Sequence, residues 1–285
     1  MTDFETYLPQ IEAVLHAAVS GTDVVTEAMR YSLEGGGKRI RPCLVLEFCR
    51  VCGGDPALAL PFAAAVEMVH TYSLIHDDLP CMDDDDLRRG KPSCHIQYGE
   101  ANALLAGDGL LTLAFETLAG AHLPADRIAE ACATLAAAAG HRGMIGGQTM
   151  DLENENRAVT LETLRQTDAL KTVELIRAAC LLGCIAADAT ASQRSAAADY
   201  AYGLGMAFQI VDDILDVTAD TATLGKPAGS DASQNKSTYV TLCGLDGARE
   251  DARAFTDKAI RAAQAFGDAG DALRTLAASL CERNK

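Results

Sequence analysis

Apolar residues recur every three or four positions along nearly the whole chain. The pattern is clear at Ala63 and Val66, at Leu104 and Leu105, and across the stretch 208–215. This spacing places apolar side chains on one face of an α-helix, and the abundant alanine favours helix further. No stretch keeps the strict alternation of a half-buried strand. The pattern therefore predicts an all-α protein of roughly ten or more helices.

Glycine and proline clusters divide the helical pattern into segments. A helix rarely continues through such clusters. The longest break has no helical period, and a loop of that length in a compact domain is usually functional or disordered. No break resembles a linker, so we expect one domain over residues 1–285. The breaks fall at 35–37, 53–56, 90–92, 121–124 and 221–236.

The charge balance excludes one class of partner. Aspartate and glutamate total 40 against 24 lysines and arginines, a net charge of −16. Nucleic acid binding depends on basic residues that neutralise phosphates, so we expect no nucleic acid partner. An acidic protein still binds phosphorylated small molecules through metal ions.

The chain contains ten cysteines, but nothing in it indicates export. It begins without a basic region followed by an apolar one. Uncharged runs are shorter than the ~18 residues that a membrane helix needs. We therefore expect reduced thiols, a cytoplasmic location and no membrane anchor. Cys49 and Cys52 have the spacing of half a zinc site, but small buried apolar residues on a helix are the simpler interpretation.

The first of two aspartate clusters contains Asp77, Asp78 and Asp83. Six acidic residues occupy the ten positions 77–86. A solvated acidic face would explain such a run. Two features favour a functional site instead. The preceding stretch 68–75 is largely apolar, so its end emerges from the core, and a second cluster repeats the theme.

The second cluster has helical spacing. Gln209, Asp212, Asp213 and Asp216 stand at i, i+3, i+4 and i+7, so they share one helix face, whereas apolar residues occupy the rest. Like charges at this spacing repel, and a buried unpaired carboxylate is costly. A bound cation would compensate for both effects.

Oxygen-only ligands favour magnesium, manganese or calcium over zinc. Neither the alternating acids of a calcium loop nor the Glu-x-x-His of a di-iron bundle is present. Magnesium takes few protein carboxylates and leaves its other positions to substrate phosphates. Two such clusters therefore predict Mg²⁺, with Mn²⁺ as a substitute ion, and a polyphosphate held between them.

Cationic residues cluster beside these motifs. Lys38, Arg39 and Arg41 fall within four positions next to glycines, without the spacing of a P-loop. Arg88 and Arg89 directly follow the first acid cluster. Their role is either to neutralise those acids or to clamp phosphate.

His70 lies two helical turns before Asp77, on a similar face. Alone, a histidine there is more often structural, but its alignment with the acids favours a role in the site. Lys171, Lys226 and Lys236 stand near the edges of the predicted site, and each alone would pass for a surface lysine.

Together these segments resemble the trans-polyprenyl diphosphate synthases, most of all the bacterial farnesyl diphosphate synthase type. The matching segments follow the family's order over nearly the whole chain. They are GGKRIRP (36–42), EMVHTYSLIHDDLPCMDDDDLRRGKP (67–92), LAGDGL (105–110), GGQTMDL (146–152), KT (171–172), FQIVDDILDV (208–217), LGKP (224–227) and KSTY (236–239). The resemblance implies an isoprenoid synthase helical bundle around a central active-site cavity, usually a homodimer.

The resemblance also implies roles. About three magnesium ions would bind Asp77 and Asp83 on one side and Asp212 on the other, with Asp78, Asp213 and Asp216 completing the two motifs. The allylic diphosphate would contact Arg88, Lys171, Thr172, Gln209 and Lys226. Isopentenyl diphosphate would bind without metal to Lys38, Arg41, His70 and Arg89, and Lys236 is a further substrate-binding candidate. The catalytic set would be Asp77, Asp83, Arg88, Lys171, Asp212 and Lys226.

The implied reaction is a head-to-tail condensation. Dimethylallyl or geranyl diphosphate loses diphosphate, the isopentenyl double bond attacks the resulting cation, and a proton leaves. Metal ions and cationic side chains would stabilise the departing diphosphate, and water would have to be excluded. The loop 221–236 is a candidate lid that carries Lys226.

Farnesyl diphosphate is the expected product. In similar enzymes an aromatic residue at the position of Tyr72 forms a floor that stops growth at fifteen carbons. Helix geometry alone turns Tyr72 away from Asp77 and leaves Ser73 closer to its face, and Tyr72 could equally be a core residue.

Three alternatives stay open. A geranylgeranyl diphosphate synthase shares the whole pattern. A terpene cyclase has one aspartate motif and an Asn/Ser/Glu triad, whereas this chain has two aspartate motifs and cations for a second diphosphate. A non-catalytic regulatory subunit usually loses metal-motif acids that are intact here.

Overall fold

The computed structural model describes residues 3–155, 157–218 and 237–281, and every structural statement below concerns these ranges. Helices dominate, as the apolar spacing predicts. The first half contains α1 (Leu8–Ala18), α2 (Val24–Leu33), α3 (Ile40–Val51), α4 (Pro56–Asp77), α5 (Cys94–Tyr98) and α6 (Glu100–Ala119). The second half contains α7 (Ala125–Ala139), α8 (Met144–Asn154), α9 (Leu161–Asp168), a π-helix (Ala169–Val173), α10 (Glu174–Ala186), α11 (Ala191–Thr218), α12 (Tyr239–Ala263) and α13 (Asp271–Cys281).

Local signals explain where the helices start and stop. Asp23 caps α2, because its carboxylate accepts from the backbone nitrogens of Val25 and Thr26. Pro56 follows the capping Asp55 at the start of α4, where a missing N–H costs nothing. Four breaks expected from glycine and proline fall between helices. The break 221–236 lies outside the described residues, so its lid role stays a prediction.

Short 3₁₀ turns and one hairpin complete the described fold. The 3₁₀ segments are Asp3–Thr6 and Gln264–Gly270. The hairpin pairs β1 (Leu87–Arg88) with β2 (Lys91–Pro92) across a turn in which Arg89 and Gly90 both have positive φ. The helical pattern did not predict these two-residue strands.

Helix α4 is the centre of the bundle. It packs against α3, α6 and α10, and α11 packs against α10 and α12. The main core surrounds α4, and a smaller core lies between the C-terminal half of α11 and the start of α12. By length and composition α4 could cross a membrane, but 67% of its apolar window is buried inside the protein, as in the core helix of a globular fold.

Candidate active site

Asp77 and Asp83 approach each other at the C-terminal end of α4. Asp77 is the last residue of that helix, and the Asp83 backbone nitrogen donates to the Asp77 carbonyl oxygen at 2.9 Å. This bond folds the acidic loop back onto the helix end. Both side chains are half-buried, so the acidic run is more than a solvated surface.

The pKa of Asp77 shows that nearby cations only partly offset the burial of its carboxylate and the negative charge around it. Burial raises the pKa of Asp77 to about 6, and the negative charge of Asp83 adds to this rise. Lys171 and Arg88 lower it only in part. A buried carboxylate with an unmet need for a cation is a candidate metal ligand.

Asp78, the next residue along the chain, pairs with an arginine. Its buried carboxylate accepts from Arg88 Nε at 2.9 Å and also from Arg88 Nη2. The neutralising role considered for Arg88 is therefore present in the structure. The pair holds the acidic loop against the hairpin, and the predicted metal role of Asp78 stays a prediction, as do those of Asp77 and Asp83.

The second cluster lies on α11, with apolar neighbours in the smaller core. Asp213 Oδ2 accepts from the Tyr239 backbone nitrogen at 2.8 Å, which ties α11 to the start of α12. Asp212 and Asp213 are half-buried, whereas Asp216 is only 3% exposed. The shared face predicted from helical spacing therefore contains one member that is as deeply buried as the apolar residues beside it.

Lys171 lies between the two clusters. It sits in the π-helix, a rare element that is frequent at functional sites. Its amine donates to Asp151 Oδ2 at 2.6 Å. The negative charges of Asp151, Asp77 and Asp83 hold the pKa of Lys171 above its ordinary value despite burial, which lowers it.

An acidic cavity opens beside Lys171. Its walls come from α8, the π-helix, α11 and the start of α12. Thr172 Oγ1 donates to Gln209 Oε1 at 3.1 Å across it. The lining includes Asp151, Asn154, Asp168, Lys171, Thr172, Gln209, Asp213 and Thr238, so three residues predicted to contact the allylic diphosphate meet here.

A second cleft has the opposite charge. It is lined by all four residues predicted to hold isopentenyl diphosphate, namely Lys38, Arg41, His70 and Arg89. Burial, together with the charge of neighbouring arginines, lowers the pKa of His70 well below its ordinary value. The cleft thus concentrates positive charge from a loop, a helix and a hairpin that are far apart in sequence.

The two cavities border the same helix. Phe208 lines the cationic cleft, and its neighbour Gln209 lines the acidic cavity. Consecutive helical positions differ by about 100° in direction, so α11 contributes to two adjacent binding regions of different chemistry.

Several residues that line or support these cavities were not among the predicted site residues. They are Arg39, Asp151, Asp168 and Phe208. The match GGQTMDL contains Asp151, and the run KRIR contains Arg39, but neither spacing reveals which partners they contact. Lys226 and Lys236 lie outside the described residues, and their predicted roles stay predictions.

Tyr72 and Ser73 lie in the last two turns of α4, before Asp77 at its C-terminal end. The Tyr72 ring is 6% exposed and packs edge-on against His76, with 5.7 Å between ring centroids. Ser73 Oγ instead donates to the backbone carbonyl of His70 at 2.8 Å. The two residues therefore face different surroundings, as helix geometry predicts.

The donor chemistry of the two clusters fits magnesium. All the candidate ligands are carboxylates, and burial of Asp77 leaves a need for positive charge. In the described ranges no three metal-binding side chains converge on one point. Magnesium that uses few protein ligands and completes its shell from a diphosphate is consistent with both facts.

The chain matches the protein family described as "Polyprenyl synthetase" over residues 22–276. It is 48% identical over 235 residues to the farnesyl diphosphate synthase of Geobacillus stearothermophilus, covering 81% of this chain and 79% of that protein. It is 47% identical over 269 residues to the farnesyl diphosphate synthase of Escherichia coli, covering 92% and 90%.

Solved structures agree over nearly the whole chain. The geranylgeranyl pyrophosphate synthetase of Pyrococcus horikoshii has a TM-score of 0.91 at 31% identity, with 98% of this chain and 97% of that chain covered. The geranyltransferase of Helicobacter pylori, complexed with magnesium and isoprenyl diphosphate, has a TM-score of 0.87 at 32% identity, with 98% and 95% covered.

Proposed function

This chain belongs to the polyprenyl synthetase family, and on that premise we propose that it is a prenyltransferase that condenses isopentenyl diphosphate head to tail with dimethylallyl or geranyl diphosphate. Farnesyl diphosphate is the proposed product. The observation that carries the proposal is the pair of cavities that border α11, one lined by acids around Lys171 and one by cations. Two diphosphates that bind by different means need two sites of this kind.

The acidic cavity is the proposed site of the allylic diphosphate. Lys171 supplies positive charge, and Thr172 and Gln209 supply hydrogen bonds. Arg88, whose charge reaches Asp77, is the proposed second cation. We assign magnesium to Asp77 and Asp83 on one side and to Asp212, Asp213 and Asp216 on the other. Bound magnesium offsets the negative charge that develops on the departing diphosphate.

The cationic cleft is the proposed site of isopentenyl diphosphate. Lys38, Arg41, His70 and Arg89 would hold its diphosphate without metal. This fixes the double bond near the allylic carbon, so attack becomes effectively intramolecular. The released diphosphate is the proposed acceptor of the final proton.

We further propose that each chain forms a single polyprenyl synthase domain. The enzyme is then a cytoplasmic homodimer of such chains. Ile96, Leu104 and Leu105 are large exposed apolar residues on the neighbouring helices α5 and α6. Apolar residues gathered on a surface often mark a protein interface. Sedimentation equilibrium of the purified chain tests the dimer, and a monomer at all concentrations would contradict it.

Product analysis tests the proposed reaction. Purified protein is given magnesium, isopentenyl diphosphate and one of three primers: dimethylallyl, geranyl or farnesyl diphosphate. We expect consumption of isopentenyl diphosphate with the first two primers and a fifteen-carbon product, and chelation of magnesium should abolish it. Failure to consume isopentenyl diphosphate with every primer would refute the proposal.

Geranylgeranyl diphosphate is the second candidate product. The close structural match to the Pyrococcus synthetase favours it, because the two folds superpose over nearly their whole length. Conversion of farnesyl diphosphate into a twenty-carbon product in the same experiment would select it.

A further inference from the structure

Arg39 behaves unlike the cations on either side of it in sequence. Lys38 is exposed, whereas the Arg39 side chain is only 1% exposed. Arg39 caps the N-terminus of α3 with φ of 50°, in the left-handed region that non-glycine residues rarely adopt. The backbone turn sends the Arg39 side chain into the protein at the base of the cationic cleft, which it lines together with Lys38 and Arg41.

The Arg39 guanidinium joins three other helices to the cleft. Nε donates to Glu12 Oε1 on α1 at 2.7 Å, and Nη1 donates to Glu67 Oε1 on α4 at 2.7 Å. Nη2 donates to the backbone carbonyl of Leu33, the last residue of α2. The planar guanidinium suits this fan of acceptors, whereas a lysine ammonium is a single point charge.

The charges around Arg39 make it a poor phosphate ligand. Glu12 and Glu67 together neutralise its charge, and Glu67 is buried. Arg39 therefore serves a purpose other than holding phosphate.

That purpose follows from repulsion within the cleft. Burial lowers the pKa of Arg41, the charge of Glu67 partly offsets this, and the charge of Arg89 lowers it further, so Arg41 and Arg89 lie close enough to repel one another. The loop also approaches Arg89 closely, because a Cβ on Gly37 would lie 2.6 Å from its guanidinium. Arg89 Nη1 donates to the Gly36 carbonyl, and Glu67 attracts both Arg41 and Arg89. The loop is therefore held beside the repelling cations by a few contacts, and a further anchor would fix its position.

Glu67 supplies the anchor point. It lies one helical turn before His70 on α4, and both line the cleft. We propose that Arg39 is a positioning residue that fixes Lys38 and Arg41 relative to His70, so that the cleft is formed before isopentenyl diphosphate, a primary alkyl diphosphate, binds. This inference rests on the proposed function.

The test compares Arg39→Lys with a matched variant, Arg50→Lys. Arg50 lies on the same helix and contacts the buried carboxylate of Glu47 at 2.7 Å and the carbonyl of Ala269. It therefore resembles Arg39 in its contacts but lies at the opposite end of α3 from the cleft. Thermal melting is measured for both variants, and kcat and both KM values are measured with isopentenyl and geranyl diphosphate.

For Arg39→Lys we expect KM for isopentenyl diphosphate to rise about tenfold or more, with KM for geranyl diphosphate within about twofold and kcat retained at saturation. Arg50→Lys should lower the melting temperature but leave both KM values within about twofold. Equal rises in KM for the two substrates, an equal rise in Arg50→Lys, or an unchanged KM in Arg39→Lys would each overturn the inference.

Glu12→Gln keeps the inference testable if Arg39→Lys does not fold. Glu12 is half-exposed, so its loss removes one anchor at little structural cost. We expect KM for isopentenyl diphosphate to rise about threefold, and an unchanged value would contradict the role. Wild-type protein that consumes no isopentenyl diphosphate would instead refute the proposed function.

Discussion

At the scale of single residues, Tyr72 is buried on α4 while its hydroxyl has no hydrogen-bond partner in the described ranges. A buried hydroxyl without a partner costs free energy, so the aromatic ring of Tyr72, and not its hydroxyl, is the part that contributes at this position. We predict that Tyr72→Ala makes a twenty-carbon product, because removal of the ring deepens the space below the site. Tyr72→Phe, which keeps the ring, should still stop at fifteen carbons. Chromatography of dephosphorylated products measures both, and a fifteen-carbon product from Tyr72→Ala would remove the floor hypothesis.

Asp168 gives a pH-dependent prediction. It is 7% exposed, and its Oδ2 has no hydrogen-bond partner in the described structure. Burial, with the nearby charge of Asp151, raises its pKa from 3.8 to about 7. Ionised Asp168 therefore destabilises the folded state, in full above pH ~7 and not at all below the pKa of the unfolded chain.

We predict that Asp168→Asn, which stays neutral, raises the melting temperature by about 5 °C at pH 8. The gain should shrink steadily as the pH falls to 5. Asp271→Asn, at an exposed carboxylate on α13, is the control and should show no such trend. A gain that is equal at both pH values would mean that folding does not raise the pKa of Asp168.

The sequence was sufficient to predict site residues that belong to a recognisable motif. It was not sufficient to predict residues whose role depends on contacts with other helices. Lys38, Arg41, His70 and Arg89 lie together as predicted, because motif membership identifies them one by one. Arg39, Asp151 and Asp168 depend on contacts between helices that are distant in sequence, and no periodicity encodes those contacts. The same limit applies to Asp216, whose burial depends on neighbouring elements rather than on helical spacing.

At the scale of elements, helix identity and helix breaks followed from apolar period, glycine and proline. The π-helix did not, because an inserted residue changes neither composition nor hydrophobic pattern. The hairpin at 87–92 was also missed, since strands of two residues are too short to show alternation. Both unpredicted elements carry predicted site residues, Lys171 in the π-helix and Arg88 in the hairpin.

The π-helix is held in place by a close approach to α8. A Cβ on Gly147 would lie 2.2 Å from the Lys171 backbone nitrogen, a distance that forces the backbone to move. We predict that Gly147→Ala displaces Lys171 and lowers kcat/KM at least about tenfold, with a loss of about 1–3 kcal/mol in stability.

Gly109→Ala is the matched control for this prediction. It also lies within a helix, but the added Cβ would meet only the flexible Met29 side chain, at 3.0 Å from Sδ. Alanine is also the better helix former, so stability should be unchanged or higher. Steady-state kinetics and urea unfolding measure both variants, and equal kinetic effects would show that Gly147 does not position Lys171.

At the scale of the whole molecule, positive and negative side chains are gathered in different places, which the net charge does not reveal. The cationic cleft gathers positive side chains despite a net charge of −16. The acids that matter are few and are split between the ends of α4 and α11. Composition argues against a nucleic acid partner, but only the fold shows that opposite charges line neighbouring cavities.

This division predicts how metal and diphosphate stabilise the protein. Magnesium alone meets few carboxylates on either side, and diphosphate alone meets repulsion from both, so neither should bind strongly. Together they complete each other's contacts and link α4 to α11. We predict that magnesium and inorganic diphosphate together raise the melting temperature by roughly 5 °C more than the sum of their separate effects. Asp77→Asn and Asp213→Asn should each remove this excess, whereas Asp246→Asn, whose carboxylate is 95% exposed on α12, should keep it. Strictly additive shifts in the wild-type protein would mean that the two aspartate clusters do not share a ligand.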